Sequence, residues 1–207
     1  MSLDGKIATR KGKLRLSSDE DRKRVHQLRS QVSGIMVGIR TVLRDDPKLT
    51  VTHARGPNPT RIIVDSHART PLSAYIVRTA RETPTIIGVT KEASSRKVAQ
   101  LLRAGVQILY CGRGEKVSLP KLMKQLQSIG MNSILLEGGG TLNWNMLSQG
   151  LVDEVRVAIS PQIVGGESAV TLAEGRGANG LGNTVKLRFL KSKWYGPDLV
   201  LYYKVLA

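Results

Sequence analysis

The sequence predicts an α/β fold built on a mainly parallel sheet with helices on both faces, and three observations predict it. First, short apolar runs such as Arg61-Ile62-Ile63-Val64-Asp65-Ser66 and Thr85-Ile86-Ile87-Gly88-Val89-Thr90 recur between stretches with helical spacing. Second, the run Ser133-Ile134-Leu135-Leu136 breaks into Gly138-Gly139-Gly140 and re-forms with helical spacing from Thr141 to Leu147. Third, the tail changes to alternating apolar and polar residues around Tyr195-Gly196-Pro197-Asp198, a strong turn signal. A parallel sheet finished by an antiparallel C-terminal hairpin is a mixed sheet.

Taken in order, residues 1–16 read as the end of a strand, Ile7-Ala8-Thr9, followed by a loop. Ser17-Ser18-Asp19-Glu20 supplies N-cap chemistry for a helix over residues 19–31. Val25, Leu28 and Val32 repeat at three and four, so one face packs while Arg22, Lys23 and Arg24 stay solvated. Gly34-Ile35-Met36-Val37-Gly38 is a short buried strand, and Thr41 to Asp46 forms a single turn that Pro47 ends. Strands are expected over 61–66, 85–90, 106–110 and 133–136, with helices over 94–104, 119–128 and 141–147 between and after them. The tail adds strands over 155–159, 185–190 and 199–205, and the glycine-rich stretch 165–182 is expected to be mobile or to close over a ligand. No linker or repeat divides the chain, so one domain over residues 1–207 is expected.

Composition narrows the functions. No apolar run approaches the roughly 18 residues that cross a bilayer, so no membrane association is expected. The start has no apolar signal region. A single cysteine, Cys111, allows no internal disulfide, and the three histidines have no ligand spacing, so no metal site is expected and the setting is cytoplasmic. His26, His53 and His67 read as surface or capping residues. The net charge of +16 is spread along the chain, and aromatic residues are too scarce for a stacking platform. Anionic small molecules fit that pattern better than specific nucleic-acid binding.

The carboxyl ends of three strands collect the polar chemistry. They carry Gly38 with Thr41 and Asp45, then Asp65 and Ser66, then Glu137 with Gly138, Gly139, Gly140 and Thr141. A strand that turns through glycines into a helix presents backbone N–H groups and the positive end of the helix dipole, which suits a phosphate. It is neither a dinucleotide fingerprint nor a phosphate-binding loop with its lysine, and a plain turn has the same appearance. Glu137 ends a buried strand, where a carboxylate is costly without a partner. No nucleophile is paired with a histidine base, so a nucleotide cofactor is expected to carry the chemistry.

The motifs Ser2-Leu3-Asp4-Gly5-Lys6-Ile7-Ala8, Gly34 to Gly38 with Thr41-Val42-Leu43-Arg44-Asp45-Asp46-Pro47-Lys48-Leu49-Thr50-Val51, and Leu136-Glu137-Gly138-Gly139-Gly140-Thr141-Leu142-Asn143 closely resemble the riboflavin-biosynthesis reductase family. So does Leu151-Val152-Asp153-Glu154-Val155 followed by Pro161-Gln162-Ile163-Val164-Gly165-Gly166. The resemblance covers essentially the whole chain and implies the dihydrofolate-reductase-like fold. It implies a homodimer and an NADPH-dependent reductase, with NADH as the alternative donor. The implied substrate is a phosphorylated ribosylamino-pyrimidine, whose ribose C1′ receives the hydride.

No zinc deaminase signature precedes the motifs, so the resemblance is to the stand-alone type that reduces 2,5-diamino-6-ribosylamino-4(3H)-pyrimidinone 5′-phosphate. Carried over residue by residue, cofactor positions fall on Thr41, Asp45, Ser66 and the loop Gly138, Gly139, Gly140, Thr141 and Leu142. Substrate positions fall on Arg29, Leu49 and Glu137. Arg29, whose planar fork matches phosphate oxygens, is expected at the 5′-phosphate. No catalytic acid is identified; water, Asp4 or Asp45 are the proton sources considered.

The family has a first strand ahead of Ser2-Leu3-Asp4-Gly5, and since the sequence opens on that motif, the strand is expected to be absent or shortened. The loop from Lys11 to Arg15 is more basic than a pyrimidine site requires, and a phosphate is its expected neighbour. Two other readings stay open. One is a bacterial-type reductase of 5-amino-6-(5-phosphoribosylamino)uracil or a pterin reductase. The other is a non-catalytic nucleotide- or RNA-binding protein that uses the positive charge.

Overall fold

A computed structural model describes residues 1–9 and 16–206. The basic loop over residues 11–15 lies outside the described residues. The chain divides into two compact units, His26–Gly138 and Met1–Val25 with Gly139–Ala207. Helix α1 (Asp19–Arg29) begins in the second of these and contributes its last turn to the first. Ser18 caps it, its hydroxyl accepting the Asp21 N–H at 3.2 Å.

In the unit His26–Gly138, the described strands are β1 (Gly34–Gly38), β2 (Thr60–Val64), β3 (Thr85–Val89), β4 (Gln107–Tyr110) and β5 (Ile134–Leu136). They form one parallel sheet in the order β4-β3-β2-β1-β5. Ile35, Val37, Ile63, Ile87 and Val89 lie in its core beside Val98 and Leu101. Such continuous apolar strands are what a sheet covered on both faces requires.

The connecting helices are α2 (Ile39–Asp45), α3 (Tyr75–Arg78), α4 (Ser95–Arg103) and α5 (Leu119–Ser128). Ser94 and Ser118 cap the last two by accepting the N–H of Lys97 and Lys121. Helix α2 starts two residues before the expected turn, because Ile39 and Val42 bury together on one face. It ends at Asp46 in the left-handed region (φ 39°), just before Pro47. Helix α3 has no sequence periodicity to announce it. Its first N–H is held by Asp46 Oδ1 at 2.8 Å, and the buried Arg61 guanidinium donates to Ile76 O and Thr79 Oγ1.

The chain steps from β1 through β2 and β3 to β4 in one direction, and β5 then joins on the other side of β1. The order therefore reverses between β1 and β5. In open α/β sheets, the carboxyl ends at such a reversal are where ligands bind.

In the other unit, α6 (Gly140–Ser148) is followed by β6 (Glu154–Ile159), β7 (Leu187–Tyr195) and β8 (Asp198–Val205), with a 3-10 turn at Leu181–Asn183. The hairpin expected at the C-terminus is present. It pairs with β6 in a separate antiparallel sheet of order β6-β8-β7, where the sequence suggested one mixed sheet. β7 runs five residues past its expected end, because Tyr195 pairs directly with Asp198 across the turn at Gly196.

Ile7-Ala8-Thr9 does not form a strand. Ser2-Leu3-Asp4-Gly5 curls into a turn closed by Ser2 N to Lys6 O at 2.8 Å and Lys6 N to Ser2 Oγ at 2.9 Å. Among the described residues, isolated bridges join Ser2 with Ser160 and Lys6 with Thr171. No helix among the described residues is long and apolar enough to cross a membrane.

Candidate functional site

The reversal between β1 and β5 is built by two backbone bonds: Glu137 N donates to Met36 O at 2.9 Å and Gly38 N to Gly138 O at 3.0 Å. They leave the Glu137 side chain at the carboxyl end of the sheet. The partner that such a carboxylate requires is Arg29, at the end of α1. The guanidinium grips the carboxylate side-on, Nε to Oε1 at 2.7 Å and Nη2 to Oε2 at 2.6 Å. Both side chains are largely buried, at 16% and 20% exposure, which strengthens a charge-assisted fork. Arg29 Nη1 also donates to Thr50 O at 2.9 Å. The arginine fork expected on a phosphate is closed on Glu137 in this structure.

Leu49 adjoins that contact. It is buried and adopts φ 53°, a conformation that costs a non-glycine residue about 1–2 kcal/mol. Surroundings must over-determine such a residue, and this is common in segments that hold ligands.

Thr41 and Asp45 lie four apart on α2 and so share a face. Asp45 is engaged by Arg44 through two bonds of 3.1 Å. Beyond β2, the buried Asp65 accepts both the N–H and the hydroxyl of Thr70 at 2.8 Å, with Arg69 Nε 3.9 Å from its other oxygen. That turn orients Ser66, whose Oγ accepts the Val117 N–H at 3.0 Å. A hydroxyl used as acceptor still has its own proton to donate.

The unit boundary falls inside the glycine run, after Gly138. Gly138 and Gly139 take φ 101° and 29°, a region where a side chain would be strained. In the second unit, Gly139 caps α6 through its carbonyl, which accepts from Leu142 N and Asn143 N. Gly140 is a close-approach glycine: an added Cβ would lie 2.8 Å from Thr171 O and 2.7 Å from Glu174 Cγ. Glu174 N donates to Gly140 O at 2.9 Å, and Asn143 Nδ2 to Leu172 O at 2.8 Å. The stretch expected to be mobile or to close over a ligand thus packs, at 171–174, on the first turn of α6.

Asp4 is unsuited to the proton-donor role considered for it. Its carboxyl is held down to about 2 by the Ser2 hydroxyl first, then by the N–H groups of Val164 and Gly165. Those N–H groups reach its two oxygens at 3.0 and 2.7 Å. A carboxylate so occupied is an acceptor that ties the first motif to the Pro161 to Gly166 motif. Among the described residues, no group of three or more His, Cys, Asp or Glu could hold a metal ion.

His26, read from the sequence as a surface or capping residue, is buried, and its Nδ1 accepts the Thr52 N–H at 3.0 Å. The available signal was its spacing, three residues before Arg29 on one helix face.

Parallel strands with a polar cluster at the β1/β5 reversal, followed by an antiparallel hairpin, define a dihydrofolate-reductase-like α/β protein. The RibD C-terminal domain family model matches residues 1–201. The chain belongs to that family.

The 2,5-diamino-6-ribosylamino-4(3H)-pyrimidinone 5′-phosphate reductase of Methanothermobacter thermautotrophicus is 46% identical over 208 residues, covering 99% of this chain and 94% of that protein. The riboflavin biosynthesis protein RibD of Actinobacillus pleuropneumoniae is 38% identical over 209 residues, covering 100% of this chain but 55% of that one. Among solved structures, Acinetobacter baumannii RibD, form 2, matches with a TM-score of 0.79 at 25% identity, over 99% of this chain and 55% of that one. The chain spans about half the length of these RibD proteins.

Proposed function

We propose that this chain is an NADPH-dependent reductase that converts 2,5-diamino-6-ribosylamino-4(3H)-pyrimidinone 5′-phosphate to its ribitylamino product in riboflavin biosynthesis. The observation that carries the reading is one of similarity. The reductase named for that substrate is 46% identical over 208 residues, against 38% over 209 residues for the RibD of Actinobacillus pleuropneumoniae. Residues 1–207 are then one reductase domain, a reading supported by a family match that runs through both units.

The residues present fit a nucleotide cofactor. The glycine run at the end of β5, the α6 amino end and the hydroxyls of Thr41 and Ser66 suit phosphate and ribose. When bound, NADPH supplies the hydride that reduces C1′ of the opened ribose, and NADH is the alternative donor. Thr41, Asp45, Ser66, Gly138, Gly139, Gly140, Thr141 and Leu142 are the residues that would hold the cofactor. Glu137 offers its remaining lone pairs to the amino groups of the pyrimidine. Leu49 lines the ring. Arg29 keeps Glu137 oriented and presents its remaining charge and donors to the 5′-phosphate, since three of its five N–H groups serve the bonds above. Positioning of this kind is what hydride transfer chiefly asks of a protein.

The enzyme is cytoplasmic on this reading, in keeping with a single, buried, free cysteine. It acts as a homodimer, supported by the exposed apolar residues of β7: Leu187, Phe189, Leu190 and, at 66% exposure, Trp194.

The test is loss of NADPH absorbance with purified protein offered the diaminopyrimidinone and aminouracil phosphates separately. Turnover of the first alone is expected. Turnover of the second alone would overturn the substrate but keep the reductase.

A further inference from the structure

We propose that His26 is a positioning residue, which holds the backbone at residues 50–52 in the place the reaction needs; this rests on the reductase reading above. From Asp46 to Pro59 the chain has no helix or strand pairing. Backbone groups in such a segment must be satisfied by side chains or water. Three successive residues find side-chain partners. Arg29 donates to Thr50 O at 2.9 Å, Asn58 Oδ1 accepts the Val51 N–H at 2.8 Å, and His26 Nδ1 accepts the Thr52 N–H at 3.0 Å.

The first and third of these come from one face of α1. They run in opposite senses, one side chain donating and the other accepting, so they fix the register of the segment as well as its distance. The His26 ring also meets His53 edge to face, with centroids 4.8 Å apart. Because an Nδ1 that accepts an N–H carries no proton there, the neutral ring bears its hydrogen on Nε2.

Arg29 couples this strip to the site. One guanidinium holds Thr50 O and the Glu137 carboxylate, so drift of the strip pulls on the group that orients Glu137. Leu49, at the head of the strip, is strained at positive φ and depends on the same anchoring. His26 thus acts on the substrate through Leu49, Thr50 and Arg29 without touching it.

The test compares H26A and H26N in the full chain. Asn Oδ1 stands near where Nδ1 stood and can accept the same N–H. H26A is expected to speed amide exchange at Thr52 about tenfold and to raise the substrate KM about tenfold, the factor that one net hydrogen bond supplies. kcat and the KM for NADPH should stay within about twofold, and H26N should restore both readouts most of the way. Unchanged exchange and KM in H26A would overturn the proposal. So would a uniform loss across kcat and both KM values that H26N does not rescue. If the wild type reduces neither pyrimidine phosphate, the reductase reading fails and the catalytic part of this inference with it. The exchange comparison then still decides whether His26 holds the strip.

Discussion

Arg29 and Glu137 stand 108 residues apart in the sequence and meet in a two-bond fork at the point where the strand order of the sheet reverses. The pair answers the cost of placing a largely buried carboxylate at the end of a half-buried strand. It also aims that carboxylate, because a planar fork sets angle as well as distance.

Breaking the fork leaves a partly buried charge without its partner. R29A is expected to lower unfolding stability by about 2–4 kcal/mol, and R29K, which cannot make the fork, by about 1–2 kcal/mol. E137Q should raise the substrate KM more than about tenfold with little effect on the KM for NADPH. Urea unfolding and a double-mutant cycle check the pair. A coupling energy near zero would show that the two side chains act independently.

The α6 amino end should not tolerate a methyl group at Gly140. Thr171 O, 2.8 Å from the position a Cβ would take, is backbone and yields only if the 171–174 stretch shifts. G140A is expected to cost about 1–3 kcal/mol of stability and to weaken NADPH binding, measured by thermal unfolding and by fluorescence titration. Wild-type values in both would mean that the stretch moves at little cost.

Asp4 makes a prediction in acid. Its folded value of about 2 lies below the ordinary 3.8. A depressed carboxylate contributes stability that is present above its unfolded value and is lost as pH falls through its folded one. The window is therefore pH 4 down to about pH 2. D4N should flatten that part of the acid-unfolding curve and speed exchange at Val164 and Gly165, as circular dichroism and amide exchange would report. An unaltered acid limb would argue against the motif's role as a clasp.

The exposed side of the C-terminal sheet predicts an assembly. Phe189 and Trp194 are 54% and 66% exposed on an edge strand, a surface that a monomer rarely leaves uncovered. W194E or F189E should shift the sedimentation profile from dimer to monomer. A wild type that sediments as a monomer at micromolar concentration would exclude the β7 interface.

By itself the sequence determined the order and kind of nearly every element. Apolar runs at 34–38, 61–64 and 85–89 have no stable place except inside a sheet covered on both faces. Three glycines after Glu137 admit backbone angles that other residues resist. These are local constraints, legible residue by residue, and together with the motif resemblance they led to the reductase family.

Tertiary structure decided what depends on distant partners. It closed the Arg29 fork on Glu137, turned His26 from a surface or capping histidine into a backbone acceptor for Thr52, and gave the hairpin to a sheet of its own. It made a short helix at Tyr75–Arg78 that no periodicity announces, held there by Asp46 and the buried Arg61. A pairing across 108 residues leaves no trace in the spacing of either neighbourhood, because its free energy comes from desolvating two groups together, and only the folded chain brings them to one place.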